Sequence, residues 1–151
     1  MRYKKLGTTG IKVSSLCLGT MTFGAGADET EAGKIYAESR NKGLNFFDCA
    51  NLYAGGQSEE ILGRLIKSHR EEVVISSKAY FPVDSYAGGG HETWGRGLNR
   101  THLIRALDDS LKRLGTDYID VYYMHRFDDN CSLEESLSKY NDFVRQGKIN
   151  Y

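Results

Sequence analysis

"NFFDCANLYAGGQSEEILGRLI", Asn45–Ile66, is the stretch on which the reading of the chain turns. Its start, "LNFFD" with Leu44 included, is apolar and strand-like and breaks off at a carboxylate, Asp48. "SEEILGRLIKSH", Ser58–His69, reads as a helix. Between the two lie a phenol, Tyr53, and the pair Gly55-Gly56. A strand that ends on an acid and runs through a short turn into a helix is one βα unit.

The unit repeats on both sides. Upstream, "SLCLGT" (Ser15–Thr20) reads as a strand ending near Thr20. A helix then starts at Asp28, which stands with Glu31 at the N-cap and N3 spacing of a capping box, and stops at Gly43. Downstream, "EVVISSK" is a β-branched strand ending at Lys78. "LNRTHLIRALDDSLKRLG" is a helix with Leu103, Ala106, Leu107, Leu111 and Leu114 at spacings of three and four, closed by Gly115. On its wet face Arg105 and Asp109 stand four apart, as an ion pair would. "YIDVYYMH" is the fourth strand, and "SLEESLSKYNDFVRQG" the fourth helix, with Ser132 and Glu135 as a second capping box. The reading is a single partial domain over 1–151: a hairpin over 1–14 around Gly7-Thr8-Thr9-Gly10, four βα units over 15–147, and in "KINY" (148–151) the start of a fifth strand.

Alternating strands and helices imply parallel strands joined by helical crossovers. A (β/α) barrel and a doubly wound sheet both satisfy that pattern. The glycines of "GTMTFGAG" are spaced G-x4-G-x-G, which is neither the dinucleotide fingerprint nor a P-loop, so this segment reads as a strand-to-helix connection. Polar residues then decide between the folds. Asp48, Lys78 and His125 end three consecutive strands, and in a barrel those ends converge on one mouth, where barrel enzymes keep their chemistry.

Composition removes other classes. Lys plus Arg and Asp plus Glu both number 20 in 151 residues, so no broad positive field exists to select nucleic acid or an anionic membrane. No apolar run approaches the roughly 20 residues that cross a bilayer, and the basic start MRYKK has no apolar core behind it. Cys17, Cys49 and Cys131 are scattered and lack metal or disulfide spacing; they read as packing residues of a protein from a reducing cytoplasm, with no metal.

Singly, the four polar groups have ordinary explanations: Asp48 as a loop cap, Tyr53 as packing, Lys78 as a strand end reaching water, His125 as a core histidine. Jointly they form a proton-delivery device. A carbonyl that accepts a hydride needs a proton on its oxygen, and a free phenol, with a pKa of about 10, gives one up reluctantly. An ammonium beside the phenol stabilises the phenolate left behind, and a carboxylate keeps that ammonium charged and placed. An imidazole opposite can orient the substrate oxygen. In this scheme Asp48 tethers Lys78, Lys78 tunes Tyr53, and Tyr53 gives the proton.

The segments "LGTMTFG", "FFDCANLYAGGQSEEILGRLI", "SSK" and "SLKRLGTDYIDVYYMHRFDD" resemble the signature segments of the aldo-keto reductases, especially the aryl-alcohol-dehydrogenase-like branch. The resemblance implies a (β/α)8 TIM barrel with an N-terminal hairpin closing its bottom, NADP(H) bound in an extended pose, and reduction of aldehydes or ketones to alcohols. It assigns the catalytic tetrad to Asp48, Tyr53, Lys78 and His125, and cofactor contacts to Gly19, Thr20, Met21 and Asp48. Tyr53 and His125 would touch substrate. So would Trp94, the best candidate in the long connection "AYFPVDSYAGGGHETWGRGLN", whose Tyr80, Phe81, Tyr86 and Trp94 can wall a pocket for an apolar carbonyl.

A whole barrel takes about 250 residues. This sequence therefore reads as the first half of one, a fragment whose open strand edges need covering. The expectation is a truncated product, with self-pairing or a complementing second half-barrel as alternatives. Most of the family's dinucleotide-binding groups would lie in the other half. Some relatives, the potassium-channel β subunits, keep the tetrad while serving as regulatory partners, so a non-catalytic assembly role is the competing reading.

Overall fold

The computed structural model describes residues 1–83 and 95–151. Two short strands open the chain, β1 (Tyr3–Lys5) and β2 (Lys12–Ser14), paired antiparallel with Tyr3 opposite Ser14. The side chain of Asn45 ties this hairpin to the main sheet: its Oδ1 accepts from the Ser14 N–H at 2.7 Å and its Nδ2 donates to the Lys12 carbonyl at 3.0 Å. The Tyr3 hydroxyl donates to the Gly43 carbonyl at 2.7 Å. Because Asn45 immediately precedes a strand, the hairpin sits at the amino ends of the sheet.

That sheet has four parallel strands, β3 (Leu18–Gly19), β4 (Phe46–Asp48), β5 (Val74–Ala79) and β6 (Val121–Met124), in that spatial order. Between and after them run α1 (Glu29–Asn41), α2 (Gln57–Ile66), α3 (Arg100–Leu114) and α4 (Leu133–Arg145). Strand order follows sequence order with no reversal. A doubly wound sheet reverses at its switch point; a barrel does not. Beyond β6 the chain starts the next strand: Ile149 bridges Ile119 in parallel, and the N–H of Tyr151 donates to the Asp120 carbonyl at 3.0 Å.

Alternation along the strands sorts the two faces. Phe47, Ile75, Ala79 and Tyr122 point into a core shared with Tyr36, Leu62, Leu103, Leu107 and Phe143 of the helices. The α3 stripe behaves as its spacing requires, with Leu103, Ala106, Leu107 and Leu114 buried and Leu111 packed against the core edge. Each such leucine contributes about 1.5–3 kcal/mol by leaving water. Asp48, Ser76, Lys78 and Tyr123 occupy the opposite face, the one a closed ring would enclose.

Helix ends follow the caps with one modification. Asp28 accepts from the Glu31 N–H at 2.9 Å and Ser132 from the Glu135 N–H at 3.2 Å. Neither glutamate returns the bond to its cap, however. Glu31 pairs with Lys34, and the Glu135 carboxylate accepts from the Arg100 N–H at 3.1 Å, tying α4 to the start of α3. Asn99 caps α3, accepting from the His102 N–H at 2.9 Å, a signal absent from the sequence reading. The pair expected between Arg105 and Asp109 is replaced by Lys112–Asp109 at 3.0 Å, three residues apart rather than four. Gly43 and Gly115 take the left-handed conformation at the ends of α1 and α3.

Helices α2 and α3 come unusually close. A Cβ on Gly63 would lie 2.5 Å from the Leu114 carbonyl oxygen, so only glycine fits there. The same contact buries an ion pair, Glu59 with Arg113 at 2.8 Å, and the Glu59 carboxylate also accepts from Ser77 at 2.6 Å. The packing role foreseen for the cysteines holds for Cys49, which is buried, and in part for Cys131; Cys17 is exposed, in the connection just before the edge strand β3. Among the described residues no helix is long and apolar enough to cross a membrane, and no group of side chains is placed to hold a metal ion.

Candidate active site

Parallel pairing brings the polar strand ends to one rim. Gly19 stands opposite Asp48, Asp48 opposite Ser76, and Lys78 opposite Tyr123; His125 is the first residue beyond β6, its N–H donating to the Ala79 carbonyl at 3.0 Å. Tyr53 enters from the turn after β4. There a 3-10 turn (Tyr53–Gly56) contains three successive left-handed residues, Ala54 (φ 51°), Gly55 (φ 63°) and Gly56 (φ 94°). For Ala54 that conformation costs about 1–2 kcal/mol, which the surrounding packing offsets. The reversal leads the chain from Tyr53 directly into α2, while the phenol itself lies at the strand ends, within reach of Lys78.

Lys78 is the hub. Its Nζ donates to Asp48 Oδ2 at 2.7 Å, to the Cys49 carbonyl at 2.5 Å and to the Tyr53 hydroxyl at 3.2 Å. The second Asp48 oxygen, Oδ1, accepts from Ser76 Oγ at 2.6 Å. The His125 ring stands edge-on to Tyr53, with centroids 6.0 Å apart, and edge-on to Phe81 at 5.4 Å. All four residues singled out in the sequence therefore meet.

Charges at this cluster are set by neighbours. Burial is the largest single influence on Lys78 and pulls its ammonium toward neutrality, but the hydrogen bonds and charges of Asp48 and Tyr53 together outweigh it and hold it above the ordinary lysine value. His125 is held below the ordinary imidazole value, first by burial and then by the Lys78 charge, against an opposing pull from Asp48. Its Nδ1 is buried without a hydrogen-bond partner among the described residues.

His102, in α3, is likewise held low by burial. A histidine whose folded value lies below the unfolded value of about 6.5 binds fewer protons folded than unfolded, so stability falls as pH drops through that value. Thermal unfolding is therefore expected to shift to lower temperature between about pH 7.5 and 5.5, and His102→Gln to reduce the shift. A flat profile, or an undiminished shift in the variant, contradicts this account.

The cofactor candidates divide. Gly19 and Met21 are exposed, and no atom lies within 4 Å of where a Cβ on Gly19 would sit. Thr20 is buried: its N–H donates to the Asp48 carbonyl at 2.9 Å and its hydroxyl contacts Ser58 Oγ at 2.9 Å, so its polar groups brace the fold. Trp94 and Tyr86 lie outside the described residues. Sequence reading missed two residues, Asn51 and Ser76. Asn51 donates from Nδ2 to the Phe81 carbonyl at 2.9 Å, joining the loops after β4 and β5. Phe81, which its sequence context groups with other pocket aromatics, packs on His125 itself. Ser76 could have been found, since period two puts it on the same face as Lys78.

Comparison with known proteins gives a consistent result. The sequence profile described as the Aldo/keto reductase family matches residues 15–151. The chain is 40% identical to "Uncharacterized oxidoreductase YrpG" of Bacillus subtilis (strain 168), covering 100% of this chain and 48% of that one. It is 40% identical to a "Probable voltage-gated potassium channel subunit beta" of Arabidopsis thaliana, covering 97% and 44%. Among solved structures, the holo form of the aldo-keto reductase AKR11C1 from Bacillus halodurans superposes with a TM-score of 0.88 at 32% identity, covering 100% of this chain and 49% of that one. The chain spans about half the length of the curated relatives it matches, and its four βα units are half of a (β/α)8 barrel.

Proposed function

The chain belongs to the aldo/keto reductase family, and on that premise we propose that it supplies the proton-delivering half of an NADP(H)-dependent reductase of aldehydes or ketones. One observation carries the reading: a single ammonium, Lys78, contacts both the Asp48 carboxylate and the Tyr53 phenol, with the His125 ring standing over the phenol's edge.

The residues present fit a nicotinamide. Gly19 and Met21 are exposed next to Asp48, with open space over Gly19 where a flat ring can lie, and Asp48 and Lys78 are themselves partly accessible. When bound, the reduced dinucleotide supplies the hydride. The chain's own residues handle the oxygen. As the carbonyl carbon becomes tetrahedral, its oxygen takes the Tyr53 proton, and the charge left on the phenolate is met by Lys78 at hydrogen-bond distance. Asp48 keeps that ammonium in place. His125 Nδ1 is buried without a partner among the described residues, which leaves Nε2 as the ring nitrogen to meet the substrate oxygen; protonated there, it can donate to that oxygen. Phe81 flanks the same imidazole and would meet the substrate's substituent, which favours flat apolar carbonyls. The three free thiols suit a reducing cytoplasm.

A second reading draws on the potassium-channel relatives: a half-barrel acting through assembly. The α4 surface favours it, since Leu133, Leu137 and Val144 are exposed along one side of the helix. Under either reading the exposed strand edges are covered once the remaining βα units complete the ring. One measurement separates them. The chain, assembled with the βα units that complete the ring, is supplied with NADPH and an aromatic aldehyde. Aldehyde-dependent NADPH oxidation supports the reductase. NADPH binding without turnover, together with a discrete complex in sedimentation, supports the assembly role instead.

A further inference from the structure

Ser76 has no part in proton delivery as described, yet it is fully buried and spends its hydroxyl on Asp48. The geometry points to Ser76 as a positioning residue: its hydroxyl locks the Asp48 carboxylate so that the other carboxylate oxygen faces Lys78 and the ammonium is aimed at Tyr53. Its role in the reaction rests on the reading of Tyr53 as proton donor; its role in placing Asp48 does not.

The torsion that orients an aspartate carboxylate joins an sp3 to an sp2 atom and is soft, so something outside the side chain must hold it. Asp48 and Ser76 are direct partners in the parallel register, on the same face of neighbouring strands. Each carboxylate oxygen consequently has its own donor: Oδ1 has Ser76 Oγ at 2.6 Å, Oδ2 has Lys78 Nζ at 2.7 Å. All three ammonium hydrogens are then committed, to Asp48, to the Cys49 carbonyl and to Tyr53. A carboxylate free to rotate would release the first of these contacts and with it the direction of the third. The neighbouring hydroxyl offers a built-in comparison. Ser77 is equally buried, but alternation sends it to the helix layer, where it donates to Glu59 Oε1 at 2.6 Å. Two adjacent serines thus serve opposite faces of one strand.

The test uses the isotopically labelled 151-residue chain. Exchange of the Lys78 Nζ hydrogens with water is read by NMR, with amide protection in β4 and β5 as the control for folding. Ser76→Ala, which only removes an oxygen, is expected to accelerate Lys78 exchange while amide protection stays at the parent level. Ser76→Thr, which keeps the hydroxyl on a residue suited to a strand, is expected to restore slow exchange. Unchanged Lys78 exchange in Ser76→Ala, or equal acceleration in both variants, overturns the assignment. In the completed barrel, Ser76→Ala is expected to lower kcat for carbonyl reduction about tenfold with KM unchanged, the pattern of a misaimed group rather than a lost binding contact. Faster exchange with undiminished kcat removes Ser76 from the reaction. Faster exchange with no reduction by any form, the parent included, upholds the placing of Asp48 and sinks the reading of Tyr53.

Discussion

Tyr53→Phe is expected to lower carbonyl reduction by about 10²–10⁴-fold, the range that a positioned proton donor contributes. The assay is aldehyde-dependent NADPH oxidation with the barrel complete. The substitution removes one oxygen and keeps the ring, so the edge-on packing against His125 survives and KM should move little. The fold should survive as well. Lys78 loses one of three partners but keeps Asp48 and the Cys49 carbonyl. Water cannot take over the missing proton efficiently, because it brings no fixed direction. Lys78→Met should cost a comparable factor for a different reason: the phenol remains but nothing stabilises the phenolate. Since both act through one proton, the double variant should be little worse than the poorer single one. Additive losses, or a loss below about tenfold in Tyr53→Phe, would mean that another group protonates the substrate.

Much of this site was legible because a parallel sheet converts sequence order into spatial order. Asp48, Lys78 and His125 end consecutive strands, and the parallel register carries all three to one rim, with Asp48 opposite Ser76 and Lys78 opposite Tyr123; the long lysine side chain closes the remaining gap to Asp48. Tyr53 was readable only jointly with them, since nothing in a lone tyrosine between a strand and a helix announces a reversed turn. Helix ends were legible where a short polar side chain could reach a free N–H, as at Asp28 and Ser132. Ion pairing was not. Asp109 stands within reach of both Arg105 and Lys112 along the helix, and spacing alone does not decide which it takes. Buried polar residues were the least visible. In "QSEE" the two glutamates look alike, yet Glu60 is exposed and Glu59 is sealed between α2, α3 and β5. Sequence gives the period of a helix but not where its second buried stripe meets a neighbour, and at α2 that meeting depends on how closely Gly63 lets α3 approach.

That sealed glutamate carries the largest expected effect on stability. Glu59 is 0% exposed and Arg113 16% exposed, and the carboxylate divides its oxygens between Ser77 and the guanidinium at 2.6 and 2.8 Å. Glu59→Ala would leave a mostly buried cation and a buried hydroxyl without their shared acceptor. Stranding one member of a buried pair costs about 3–5 kcal/mol, against a total stability of about 5–15 kcal/mol for a domain. The urea midpoint should therefore fall by a large fraction at an unchanged slope. Replacing both members by apolar residues of similar size, Glu59→Leu with Arg113→Met, should recover most of that loss, because the cost lies in the uncompensated charge rather than in a missing attraction. A loss below about 1 kcal/mol in Glu59→Ala would show that solvent reaches Arg113. The effect should also extend to the chemistry. Ser77 lies between Ser76 and Lys78 on β5, so freeing its hydroxyl loosens the strand that aims the ammonium. Glu59→Ala should consequently speed Lys78 hydrogen exchange as well, whereas the apolar pair, which refills the layer behind β5, should largely restore it.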